Sequence, residues 1–244
     1  MNRGTLFLVP AAISDPKGAD SAPLVAATLP PATLAIARSL RVFAAENAKS
    51  ARAFLKAAGT PFPMREITIT EIGHAPAAAV LQPLVAVMQA GSDIGLLSES
   101  GCPSVADPGA QLVRMAHASA IRVVPLVGPS SVLLALMAAG LNGQRFAFCG
   151  YIPVKPDERN VAIRDLESRS RRSSETQIAI ETPYRNAALF DALVGALQPA
   201  TLLAVAVDLT LPTEMILMKR VADWRKADVP SLEKRQAVFL FLAD

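Results

Sequence analysis

Residues 94–110 read IGLLSESGCPSVADPGA, and they leave the chain few ways to fold. Ile94-Gly95-Leu96-Leu97 is a short continuous apolar run, the pattern of a strand buried on both faces. Gly101, Pro103, Pro108 and Gly109 then allow the backbone to turn tightly and to approach a ligand closely. Asp107 is expected to cap a helix whose first residue is Pro108 and whose apolar face is Leu112, Val113, Met115 and Ala116. A strand, a Gly/Pro loop and a helix in that order put backbone donors and acceptors at the carboxyl edge of a parallel sheet, where α/β domains bind small ligands. A tight turn with no ligand would satisfy the same residues.

The rest of the chain supplies the sheet. Residues 5–9 read as a first strand ending at Pro10, followed by a long loop of small residues over 11–29. A helix over 31–40 leads to a strand over 42–45 and then to Glu46. A helix over 48–58 carries Lys49, Arg52 and Lys56 on one face, which reads as a solvated face. Further elements are a strand over 64–70, a helix over 77–89 ended by Gly91, and a strand over 122–126. Gly128-Pro129 then punctuates the chain, so the expected domains are 1–127 and 128–244. The second half alternates helices over 132–139, 157–169 and 186–197 with strands over 145–149, 176–181, 201–207, 215–219 and 236–242. Two α/β domains are expected, with a mostly parallel N-terminal sheet and a mixed C-terminal one. Arg169, Arg171 and Arg172 complement the dipole of the helix they end, while Lys155, Arg159 and Arg164 on the same stretch admit a second reading as contacts to RNA phosphates.

Composition excludes several classes. The longest apolar run, 132–141, is far short of the roughly 20 residues that cross a bilayer, so no membrane helix is expected. Arg3 followed by the apolar 5–9 imitates a secretory leader, but Pro10 breaks the run, and a buried strand is the better reading. Cys102, Cys149, His74 and His117 have no metal-ligand spacing; no metal is expected, and free thiols suit a cytoplasmic protein. A formal charge of +3 permits RNA binding without arguing for it.

The segment SESGCPSVADPGA resembles the cofactor loop of the tetrapyrrole methylase superfamily, and within it the branch that methylates a cytidine 2′-hydroxyl of small-subunit ribosomal RNA. The likeness recurs in order: LFLVP at 6–10, AAEN at 44–47, the loop itself, IRVVPLVGPSSVLLALMAAGL at 121–141, FAFCGYIPVK at 146–155, AIETPYRN at 179–186 and VDLTLPTE at 207–214. The resemblance implies S-adenosylmethionine in a cleft between the two domains. The cofactor contacts it implies are Pro10, Ser100, Gly101, Cys102, Val105, Ala106, Ser130, Ser131, Glu181 and Ala206. It also implies a homodimer and an RNA substrate. The chain departs from the family pattern in the 11–29 loop, in Asn47 where an aspartate is usual, in Glu99 and Cys102, and in Tyr184 where a histidine is usual.

Methyl transfer from a sulfonium is an in-line displacement, which asks the protein to align the reactants and exclude water. A ribose hydroxyl becomes a good nucleophile only when its proton is accepted, so a carboxylate within hydrogen-bond reach is expected. The candidates are Glu46, Glu99, Glu181 and Glu214. Glu46 could instead serve as an N-cap or first-turn charge for the helix that follows it, and His74 is expected to be a loop residue and not a catalyst. Two other functions fit the residues: methylation of a tetrapyrrole or another small molecule, and an inactive regulator that only binds the cofactor.

Overall fold

The computed structural model describes residues 3–13 and 21–243, so the part of the 11–29 loop at 14–20 lies outside the described residues. The chain divides into two compact units, Met1–Ser130 and Ser131–Asp244.

The first unit is built on a five-stranded parallel sheet in the order β3-β2-β4-β1-β5, formed by β1 (Thr5–Val9), β2 (Val42–Ala45), β3 (Thr68–Glu71), β4 (Ile94–Leu97) and β5 (Arg122–Pro125). All four residues of β4 are buried, as its unbroken apolar run requires. Helices α1 (Ala22–Thr28), α2 (Pro31–Ser39) and α3 (Ala48–Ala57) pack on one face through Val25, Leu34, Ala51 and Leu55, against Val9 and Phe43. Helices α4 (Ala78–Gln89) and α5 (Ala110–Ala118) cover the other face through Leu81, Met88, Leu112 and Ala116, against Leu6 and Leu96. The loops after the adjacent strands β1 and β4 therefore leave toward opposite faces. Their carboxyl ends flank the kind of crevice in which open α/β sheets hold ligands.

Two expectations need correction here. The loop expected over 11–29 contains α1, whose Val25 is buried in the core. Residues 64–70 are not one strand: Pro63 precedes a single 3₁₀ turn at Met64–Glu66, and pairing with β2 starts only at Thr68. Proline has no amide to give a sheet, so the run cannot join the ladder before the turn is complete.

The second unit carries a mixed five-stranded sheet, β6-β7-β10-β8-β9, from β6 (Phe146–Tyr151), β7 (Thr176–Ile180), β8 (Leu202–Val207), β9 (Met215–Arg220) and β10 (Ala237–Leu242). Strand β6 pairs parallel to β7, and the remaining pairs are antiparallel. Helix α6 (Ser131–Ala139) packs on one face through Val132, Ala135 and Leu136. Helices α7 (Pro156–Ser173), α8 (Asn186–Ala196) and α9 (Val221–Trp224) cover the other. Phe190 and Trp224 meet edge to face at 5.2 Å, and the Trp224 indole donates to the Leu203 carbonyl at 2.9 Å. Such an aromatic pair contributes about 0.5–1.5 kcal/mol beyond its burial. Helix α7 runs past the expected end at Arg169 to Ser173, with the good helix formers Arg171 and Arg172 in its last turn, and it stops at Ser174 in the left-handed region.

Candidate functional site

In the first unit, three loops leave the carboxyl ends of the neighbouring strands β4, β1 and β5 and are tied to one another. Ala11 and Gly101 form an isolated antiparallel bridge, in which the Ala11 amide donates to the Gly101 carbonyl at 2.9 Å. The Ser100 hydroxyl donates to the Ile13 carbonyl. The Cys102 thiol donates to the Pro129 carbonyl, 3.4 Å away, in the loop after β5. Gly128 lies flat against Pro10; a Cβ there would sit 2.2 Å from the proline ring. Pro10, Ser100, Gly101 and Cys102, expected around the cofactor, are thus brought together with the segment that ends at Ser130.

The loop 98–109 is held in a strained shape. Gly101, Ser104, Ala106 and Gly109 have positive φ, at 68°, 66°, 59° and 127°. A left-handed non-glycine residue costs roughly 1–2 kcal/mol, and such strain concentrates at ligand sites. The Ser98 hydroxyl braces the loop from inside: it accepts from the Ser100 amide at 3.1 Å and bonds the Asp107 carboxylate. Asp107 therefore does not cap a helix starting at Pro108. Helix α5 begins at Ala110 after Gly109, whose φ excludes side-chain-bearing residues and whose Cβ would fall 2.6 Å from Leu96. Val105 and Ala106 are exposed on the outer turn.

A carboxylate cluster borders this loop. Glu46 follows β2, and its Oε1 pairs with Nδ1 of His74, which follows β3. The Glu46 side chain is 10% exposed while that of His74 is 92% exposed, so an open imidazole sits over a sheltered carboxylate. Glu46 does not cap α3. That role belongs to Asn47, whose Oδ1 accepts from the Lys49 and Ser50 amides at 2.8 and 3.2 Å. The Ser50 hydroxyl donates to Glu99 at 2.5 Å. Burial raises the pKa of Glu46; His74 pulls it down, Glu99 and Asp107 push it up, and the balance is upward. Asp107 is likewise raised, first by burial, against the Ser98 hydrogen bond and with help from Glu99. Burial and Asp107 raise the Cys102 thiol, which keeps it protonated and a poor nucleophile. Beside the cluster is a pocket of about 370 Å³ lined by Ala11, Ala12, Asn47, Ser50, Phe54 and Glu99 among others. The sequence reading took His74 as a loop residue and passed over Ser98; the structure pairs His74 with Glu46 and Ser98 with Asp107.

The other expected residues lie in the second unit. Glu181 follows β7, and its Oε1 accepts from the Thr182 amide and from the Arg185 guanidinium, each at 2.6 Å. Burial pushes its pKa up, but those two donors outweigh burial and hold it below the usual carboxylate range. It is a braced, weakly basic group. Glu214 closes its own loop by accepting from the Thr210 amide at 2.8 Å. Asp208, at the end of β8, accepts from Arg235 at 2.7 Å and from the Thr213 hydroxyl at 2.9 Å. Ala206 is 1% exposed and pairs with Val238 and Ile216 in the ladder. Ser131 opens α6 and is partly exposed, as is Ser130 before it.

The family model for tetrapyrrole (corrin/porphyrin) methylases matches residues 29–223. The chain belongs to this family. It is 37% identical over 154 residues to the ribosomal RNA small subunit methyltransferase I of Mesorhizobium japonicum, a match covering 62% of this chain and 51% of that protein. It is 29% identical over 215 residues to the protein of the same name from Xylella fastidiosa, covering 88% and 75%. The chain spans about half the length of several of the curated relatives it matches. Among solved structures, the methyltransferase CobJ aligns with a TM-score of 0.60 at 16% identity, covering 99% of this chain and 100% of that one. A uroporphyrin-III-C-methyltransferase from Thermus thermophilus aligns with a TM-score of 0.54 at 19% identity, covering 98% and 92%. These two likenesses establish the tetrapyrrole methylase fold.

Proposed function

We propose that this family member is an S-adenosylmethionine-dependent methyltransferase that acts on a ribose 2′-hydroxyl of ribosomal RNA. The observation that carries the reading is the convergence of three strand-end loops beside the Glu46–His74 pair, in a chain whose curated relatives bear the name of a ribosomal RNA methyltransferase. The pocket falls in the range of roughly 300–1,000 Å³ common for small-ligand sites. The negative excess of Glu46, Glu99 and Asp107 suits a ligand bearing positive charge. When bound, the cofactor supplies an electrophilic methyl group on a sulfonium.

The residues divide the work. Pro10, Ser100, Gly101, Cys102, Val105, Ala106 and Ser130 in the first unit, and Ser131, Glu181 and Ala206 in the second, are assigned to hold the cofactor. The loop at 100–102 is braced by hydrogen bonds to Ala11, Ile13 and Pro129, and such bracing lowers the ordering cost of binding. Glu46 accepts the ribose proton, directly or through His74: with Nδ1–H held by the carboxylate, Nε2 is left free to take it. Glu99 keeps Glu46 basic by repulsion and orients Ser50. Glu181 is better suited to bracing its loop than to accepting a proton, given Arg185.

The protein is further assigned to the cytoplasm and to a homodimer. Among the described residues no helix is long and apolar enough to cross a membrane. Helix α6 presents Leu133 and Met137 at 50% and 78% exposure, an apolar surface for a second copy. Calorimetry with S-adenosylmethionine, followed by transfer of labelled methyl to small-subunit RNA lacking the modification, tests the function. Binding without transfer to RNA or to a tetrapyrrole would favour a cofactor-binding regulator.

A further inference from the structure

In the second unit a groove of about 530 Å³ runs between α7 and α8. Its α7 wall is Arg159, Asn160 and Arg164; its floor is the small residues of α8, including Ala188, Ala192 and Gly195. Other basic groups of this stretch are already engaged: Lys155 pairs with Glu158 at 3.0 Å, and Arg169 with Glu175 at 2.8 Å. No side-chain partner of Arg159 or Arg164 is found among the described residues, and Nε of Arg159 is buried without an acceptor. A buried guanidinium nitrogen with no acceptor forfeits the hydrogen bond it gave up water to make. Helix α7 cannot turn to relieve it, because buried Ile163, one turn on along the same side, and Glu167, which accepts from the Gln198 amide at 2.7 Å, fix its rotation.

We infer that the α7–α8 groove is a docking site for the phosphate backbone of the RNA substrate, with Arg159 and Arg164 gripping phosphates and Asn160 donating to phosphate or sugar oxygens. This rests on the RNA reading above. The five-residue separation of the arginines is about 7.5 Å along the helix axis, on the order of the spacing between neighbouring backbone phosphates. Guanidinium groups match phosphate oxygens in fork geometry. The shallow alanine and glycine floor lets a backbone approach closely. The lining holds no aromatic side chain on which a base could stack, so the groove reads backbone and not sequence. Asp191 is the one acidic residue in the wall and opposes a polyanion.

The test uses the full chain and a fluorescein-labelled oligocytidylate RNA, with affinity measured across a salt series. Arg159→Gln with Arg164→Gln should weaken binding roughly tenfold and make the slope of log K against log salt shallower by about 1.4, two single-strand phosphate contacts. The same loss of charge at exposed Arg114 and Arg122, on α5 and β5, should leave the slope unchanged. Asp191→Asn should tighten binding, an effect that damage to the fold cannot produce. Cofactor affinity should be the same in all variants, which shows that they are folded. If wild type binds the RNA and the groove variants keep its slope and affinity, the inference is wrong while the RNA reading stands. If calorimetry finds inorganic phosphate held in the groove while RNA binding ignores the variants, the site serves a small phosphate ligand and the inference is again overturned. If wild type binds no RNA, both fall.

Discussion

Glu46 is sheltered, sits beside two other carboxylates and is touched by one imidazole, and the role proposed for it rests on that company. To act as the proposed proton acceptor it must be ionised, and its pKa is raised, so turnover should fall on acidification at a pH above the ordinary glutamate value of 4.5. Glu46→Gln should lower kcat by about 10²- to 10⁴-fold, far more than it weakens the binding of the cationic cofactor. Glu99→Gln removes a like charge and should move the acid limb of the rate profile to lower pH; a limb that stays in place would show that Glu46 is not the titrating base. The stability sign is the reverse of the usual carboxylate case. With folded pKa values above their unfolded ones, Glu46 and Asp107 favour the folded state at acid pH, and that contribution disappears as pH rises through the raised values. Glu46 could be singled out in the sequence because it ends a strand, but its partner could not. His74 is 28 positions further on, and only the parallel pairing of β2 with β3 brings the two strand ends together.

Loop 98–109 is the element proposed to hold the cofactor. Gly101 has φ of 68°, and a Cβ there would meet only the Pro129 carbonyl, at 3.5 Å. The penalty for Gly101→Val therefore comes from the left-handed backbone and from branches reaching into open space beside Cys102, where a ligand would lie, and not from a clash with protein. Cofactor affinity should drop at least tenfold, about 1.4 kcal/mol, while Lys56→Ala changes nothing; the melting temperature is followed in parallel. Asp107→Ala removes the brace on Ser98 and should weaken cofactor binding by a similar factor, because the loop must then be ordered at the moment of binding. The apolar run and the Gly/Pro spacing made this strand, loop and helix legible in advance. The start of α5 was not, since an Asp before a Pro is an equally good cap or loop brace, and the choice is made by Ser98 nine positions upstream. In the same way, the proline-flanked 64–66 turn has the alternation of a strand and lacks only its hydrogen-bonding partners.

At the scale of the whole molecule, each unit has its own sheet and its own cores, and strand order and apolar patterning carried most of that architecture. What pattern could not supply was pairing across sequence distance, such as Arg235 with Asp208 or His74 with Glu46. These link residues whose local signals are those of ordinary charged loops. If α6 mates two copies through Leu133 and Met137, sedimentation at micromolar protein should show twice 25.7 kDa, and Met137→Glu should return the monomer. The most direct measurement of function is transfer of labelled methyl from S-adenosylmethionine to small-subunit RNA lacking the modification, with nuclease digestion to locate the label. The account predicts label on a ribose 2′-oxygen, abolished by Glu46→Gln in protein that still binds the cofactor. Label on a base, or on a tetrapyrrole and never on RNA, would contradict it.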